Sequence, residues 1–225
     1  MKSWMVAAVL CGAWLVPAAA PAQDDLGLPP GRTTWTFHGD RKGQAPDDFK
    51  SIRVGGARDG RWRIQGEKGA PSGSKVLMQL DLDPAPGRNL FALVRDLTFR
   101  DVTLSVQCKA VSGQTARAAG LVLRYQDERG YYRAWVDALE GMVRLDVLRA
   151  GKRRLLAEQQ VEVAQGTWSQ LRVDAHATDF DVFWNGKHLL ECQDETLTYS
   201  GQIGLWTKDD SVFAFDDVSA DPTGR

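Results

Sequence analysis

Apolar and polar residues alternate with a period of two along most of this chain. "DVTLSVQCKA" sets Val102, Leu104, Val106 and Cys108 on one face and Thr103, Ser105 and Gln107 on the other, the pattern of a half-buried strand. "GLVLRYQ", "YYRAWVDA", "MVRLDVL" and "SQLRVDAHA" follow at regular spacing, broken by glycine or acidic turns. In "FDVFWNGKHLLE", Asn185-Gly186 predicts a two-residue type I′ hairpin joining strands over 180–184 and 187–192, since both turn positions need positive φ. "VLRAGKRRLL" predicts a second hairpin at Ala150-Gly151, and in "LLAEQQVEVAQG" the alternation of Val161 and Val163 favours a strand over a helix. The last stretch, "GLWTKDDSVFAFDDVSA", reads as strands over 203–206 and 212–218 with a turn over 207–211.

Many short strands, frequent turns and no helical period predict an all-β fold, a two-sheet antiparallel jelly-roll β-sandwich. The segment 39–73 is richer in glycine, proline and charge, with Trp62 and Ile64 as isolated apolar anchors. It reads as long loops around one strand, not as a linker between domains.

The opening "MKSWMVAAVLCGAWLVPAAAPAQDD" breaks the alternation. Lys2, an apolar run over 6–16 and the small residues Ala20-Pro21-Ala22 predict a secretory signal peptide over 1–22, too short to span a bilayer. Leu10 before Cys11 argues against a lipoprotein site. The expectation is a periplasmic or secreted protein with one domain over 23–225 and no membrane insertion after cleavage. Removing Lys2 leaves 27 basic against 29 acidic side chains, so the formal charge moves from −1 to −2. Such a chain offers nothing that attracts nucleic acid electrostatically. Cys108 and Cys192 remain; an oxidising compartment permits a disulfide, and a buried free thiol at Cys108 fits the alternation equally well.

Candidate chemistry narrows the picture further. Two carboxylates at glycosidase spacing are missing: no E-x-D-x-x-E occurs, and Asp137 and Glu140 fall on opposite faces of a regular strand. His38, His176 and His188 form no H-x-x-H or H-x-x-x-H pair, so the spacing supplies no zinc motif. "SGSK" at 72–75 matches S-x-x-K but lacks the later K-T-G. Aromatic and basic side chains offer more. Tyr131, Arg133, Trp135 and Asp137 share one face, opposite Tyr132, Ala134 and Val136. The second face reads as core, so the first is either an open sugar-binding face or one covered by the 39–73 loops. Arg124 shares parity with Val122 and Gln126 on its own strand, and Trp206 and Lys208, on one parity, join that face if their strand lies in the same sheet.

Three stretches in order, "GLVLRYQDERGYYRAWVDALEGMVRLDVLRAGKRRLL", "GTWSQLRVDAHATDFDVFWNGKHLL" and "SGQIGLWTKDDSVFAFDDVS", resemble the concanavalin A-like lectin/glucanase superfamily. Within it they are similar to the 3-keto-disaccharide hydrolase domain family. The resemblance covers roughly the last 120 residues well and implies an exported bacterial jelly roll whose concave sheet faces a carbohydrate ligand. Relatives commonly read Y-Y-V-x-R-A-N-A-L-E where this chain has Trp135 and Asp137 within "YYRAWVDALE". If the protein is an enzyme, the resemblance implies cleavage of a glycosidic bond in a 3-keto sugar. A 3-keto group acidifies the neighbouring C–H and permits elimination, for which the residues of this sequence offer Asp137 as base and Arg124 or Lys208 beside the enolate. Tyr131, Arg133, Trp135 and Trp206 would hold the sugar. Related sandwiches can also place a structural calcium at an aspartate corresponding to Asp216. The alternative is a non-catalytic glycan-binding or envelope interaction module.

Overall fold

The computed structural model describes residues 31–56 and 58–222; the expected signal peptide over 1–22 lies outside them. The described residues form fifteen strands in two sheets, every pairing antiparallel. The back sheet runs from β13 (Lys187–Gln193) through β12 (Asp179–Trp184), β11 (Trp168–His176), β6 (Val102–Ser112), β15 (Val212–Asp221) and β4 (Gly73–Gln79) to β3 (Trp62–Ala70). A short β1 (Thr33–Trp35) pairs with the far end of β15. The front sheet runs β10 (Lys152–Gln160), β9 (Met142–Arg149), β8 (Gly130–Asp137), β7 (Ala118–Asp127), β14 (Gly201–Lys208), β5 (Asn89–Phe99) and β2 (Phe49–Val54). This is the expected jelly-roll sandwich.

Alternation explains the core. Val102, Leu104, Val106, Cys108 and Ala110 of β6 face inward, against Leu121 and Leu123 of β7, Tyr132 and Val136 of β8, and Ile203 and Leu205 of β14. Asn185 and Gly186 take φ of 49° and 79°, and Ala150 and Gly151 take 52° and 76°, as type I′ turns require.

The segment 39–73 departs from its reading. It holds two strands, β2 and β3, and β3 turns into β4 at Pro71-Ser72. Both lie at sheet edges, where only part of each strand is buried, so the period-two signal is diluted by charge and glycine. Cys108 and Cys192 are both free. Cys192 on β13 and Cys108 on β6 are three strand spacings apart, about 14 Å at ~4.8 Å each, beyond the ~7 Å reach of a disulfide. Burial pushes the Cys108 thiol up to about 12.

The acidic turn between β14 and β15 is a clamp. Asp209 accepts the backbone N–H of Arg88 at 2.8 Å. Asp210 accepts N–H bonds from Gln114 at 2.7 Å and Ala116 at 2.8 Å, with Thr115 between them at 3.1 Å. Burial alone would raise the Asp210 pKa, but these donors hold the carboxyl below its ordinary value. A depressed folded-state pKa contributes stability that is full above the unfolded value, near 4, and is lost as pH falls through the folded value. Asp210→Asn should therefore cost about 1–3 kcal/mol at neutral pH, and the gap from wild type should close on acidification. Urea denaturation at pH 7 and pH 3 checks this; a gap that is constant with pH would contradict it.

Candidate functional site

The front sheet is apolar on both faces. Besides the main core, Phe91, Leu93, Val122, Tyr125, Tyr131, Trp135 and Trp206 form a second cluster on its outer side. Register assembles it: one row across the sheet reads Ile52 (β2), Phe91 (β5), Trp206 (β14), Gly120 (β7), Trp135 (β8), Arg144 (β9) and Glu158 (β10). Gly120 lies between the two tryptophans, whose rings meet edge to face with centroids 5.5 Å apart. A Cβ at Gly120 would stand 2.2 Å from the Ala134 carbonyl oxygen, so the position admits only glycine.

A buried ionic network locks this cluster. Asp146 is fully buried and directly opposite Arg133 across β8 and β9. Its carboxylate takes Arg133 Nε at 3.1 Å and Nη2 at 2.8 Å, Arg153 Nε at 2.7 Å and Trp135 Nε1 at 2.9 Å. The Arg133 guanidinium stacks 3.8 Å over the Trp206 ring, whose Nε1 donates to Asn89 Oδ1 at 2.9 Å. Bidentate, charge-assisted bonds and cation–π stacking fix both indoles in one geometry.

Beside this network lies a depression of about 550 Å³. Trp135, Asp137 and Lys208 line it together with Arg144, Arg153 and Glu158. Asp137 Oδ1 accepts the N–H groups of Leu139 and Glu140 at 3.0 and 3.2 Å. Among the described residues its Oδ2 accepts no hydrogen bond and has Arg144 Nη1 at 3.9 Å as its one ion-pair partner. Arg144 pairs with Glu158 at 2.8 Å and with Glu140; burial lowers its pKa, and the two carboxylates more than reverse that. Lys208 has no ion-pair partner among the described residues.

Of the residues singled out in the sequence, the structure brings together Arg133, Trp135, Asp137, Trp206 and Lys208. Trp135 and Trp206 are 4% and 1% exposed, so they do not form an open aromatic platform. Arg133, Arg144 and Arg153 lie over the Trp135 ring and Arg133 over the Trp206 ring, and Ile52 and Val54 of the 39–73 segment pack against the same cluster. Tyr131 belongs to the same face but is buried against Phe91 and Tyr125.

Arg124 does not belong to the site. It takes φ of 48° in a break of the β7–β8 register, which cancels its parity with Val122 and turns the side chain to the end of the sandwich. There its guanidinium donates to the carbonyls of Arg100, Ala177 and Leu197 at 2.8, 2.7 and 2.9 Å and lies over the Tyr132 and Phe180 rings. Asp216 does not fit a calcium site either. Its oxygens accept the Ser72 N–H and hydroxyl at 3.0 Å and the Asp217 N–H at 2.9 Å, and a cation needs oxygen ligands where these donors stand. Burial, the largest influence, raises its carboxyl above the ordinary value despite those donors.

Asp146, Arg144, Arg153 and Asn89 escaped the sequence reading. The spacing of two between Arg144 and Asp146 in "MVRLDVL" carried the signal, for it puts two charges on one face of an otherwise apolar strand.

Residues 54–220 match the family described as the 3-keto-alpha-glucoside-1,2-lyase-like domain. The chain belongs to that family. No curated protein sequence matches it. Among solved structures, the carbohydrate-binding module CBM66 from Bacillus subtilis is similar to this lyase-like domain at a TM-score of 0.57 and 20% identity, over 71% of this chain and 94% of that one. The carbohydrate recognition domain of Emp47p gives 0.57 at 14% identity, over 84% and 94%. The GH43 protein BlXynB from Bacillus licheniformis gives 0.52 at 14%, over 72% of this chain and 34% of that one. At these identities the likeness is one of fold. The protein is a jelly-roll domain of the 3-keto-alpha-glucoside-1,2-lyase-like family.

Proposed function

We propose that this lyase-like domain binds a sugar in the depression beside Trp135 and cleaves 3-keto-glycosides there by elimination. One observation carries the reading: among the described residues Asp137 has a carboxylate oxygen free of hydrogen bonds and Lys208 has no ion pair, and the two come from different strands to line one depression. A C3 ketone acidifies the C2–H. Asp137 Oδ2 takes that proton, and the electron pair moves onto the ketone oxygen as an enolate facing Lys208. Collapse of the enolate forms the C1–C2 double bond and breaks the bond from C1 to the glycosidic oxygen, which leaves with the proton returned by Asp137. Arg144 and Arg153 are donors for the sugar hydroxyls. Export through the leader over 1–22 belongs to the same proposal.

A second reading has its own support. Asp137 Oδ1 is held by the two N–H groups of Leu139 and Glu140, and a side chain fixed in this way suits a glycan-binding module using the same depression. Incubation of the purified domain with plain and 3-keto disaccharides, with products followed by mass spectrometry, separates the two. Cleavage of the 3-keto substrate alone is expected, reduced about 100-fold or more by Asp137→Asn and also by Lys208→Met, with sugar affinity retained in Asp137→Asn. Saturable binding without any cleavage would replace the lyase reading with the binding module.

A further inference from the structure

The back sheet carries a second group of chemistry-bearing side chains, outside the depression. On the outer face of β11, β12 and β13, three carboxylates stand in one row: Asp174 is opposite Asp181, and Asp181 is opposite Glu191. Like charges directly opposite on neighbouring strands repel. Arg172 answers Asp174 at 3.3 Å. Among the described residues only His188 answers Asp181, its Nε2 lying 2.6 Å from Asp181 Oδ1, and Glu191 has no ion-pair partner. Residues three apart on a strand, such as His188 and Glu191, ordinarily face opposite ways. Here Phe183 pairs with His188 and Val182 with Leu190, so Leu189 is an extra residue, and this bulge re-aims the imidazole onto the carboxylate face. One ligand atom from each of Asp181, His188 and Glu191 then lies within 4.8 Å of the other two.

We propose that Asp181, His188 and Glu191 form a site for a divalent transition-metal ion of the zinc class, which pins the β12–β13 hairpin. Zinc bonds of 2.0–2.1 Å place tetrahedral ligand atoms about 3.3 Å apart, a spacing these half-exposed side chains reach by small rotamer changes on rigid strands. One imidazole nitrogen with two carboxylates suits zinc; calcium takes oxygen ligands only. The ion neutralises the acidic row and leaves a fourth position for water. The thiol of Cys192, next in sequence, is pushed up to about 11, chiefly by burial, and stays protonated.

The test is calorimetric titration of zinc chloride into untagged, chelator-stripped protein at neutral pH. Saturation at one zinc per chain is expected, weakened about tenfold or more by His188→Ala and by Glu191→Gln and unchanged in Cys192→Ser. Thermal melting in chelator, with no difference between these variants and wild type, shows that the loss is of ligands and not of fold. Absence of saturable binding, equal binding by wild type and His188→Ala, or equal affinity for calcium would each overturn the proposal.

Discussion

Asp146→Asn should destabilise the domain by about 3–5 kcal/mol, the cost of leaving a buried charge without its partner. Asp146 is fully buried and neutralises Arg133, itself 5% exposed, while also holding Arg153 and the Trp135 indole. Asparagine keeps the shape but offers one acceptor oxygen and no charge, so at least one guanidinium is left in an apolar layer between two tryptophans. For a domain of this size each kcal/mol moves the melting temperature by roughly 2–4 °C, so a drop on the order of 10 °C should appear in a thermal melt. Arg133→Met with Asp146→Leu, which removes both charges, should recover much of the loss, because a buried pair is often replaceable by apolar side chains. A loss below about 1 kcal/mol for Asp146→Asn would mean that water reaches the network, and the two indoles would not be fixed as described.

Arg124→Met should cost a comparable amount, about 3–5 kcal/mol, for a different reason. Methionine retains the stem over Tyr132 and Phe180 but orphans the carbonyls of Arg100, Ala177 and Leu197. Each buried unsatisfied acceptor costs roughly 1–3 kcal/mol. The three carbonyls belong to three separate connections, so the guanidinium ties the end of the sandwich together. Guanidinium denaturation measures the loss. Sugar turnover per folded molecule should be unchanged; a folded Arg124→Met protein that had lost turnover would return this residue to the site.

What the sequence could and could not reveal follows from where its information is local. Hairpins at Asn185-Gly186 and Ala150-Gly151 are specified by two adjacent residues, and β6 by uninterrupted alternation, so these were legible. Parity carried Arg133, Trp135 and Asp137 to one face because β8 is regular from Gly130 to Asp137. The same reasoning misplaced Arg124, because a single left-handed residue reverses parity and leaves no mark in composition. Edge strands β2 and β3 were hidden by their exposure. The closure of Arg133 on Asp146 and the gathering of Lys208 to Asp137 depend on register between β8, β9, β7 and β14, which no single stretch of sequence states. The bulge at Leu189 is the same kind of event, and it explains why histidine spacing gave no hint of the Asp181–His188–Glu191 group.

The central claim, that the outer face of the front sheet beside Trp135 is the sugar site, is tested most directly by nuclear magnetic resonance of the indole N–H groups. The domain, labelled with 15N-tryptophan, would be titrated with a 3-keto disaccharide and with its parent disaccharide. Saturable shifts at Trp135, abolished by Lys208→Met, with Trp62 and Trp184 unmoved, are the predicted result. Saturable shifts at Trp184 or Trp168 with Trp135 unmoved would contradict the account and move the sugar site to the groove those two residues line at the edge of the back sheet.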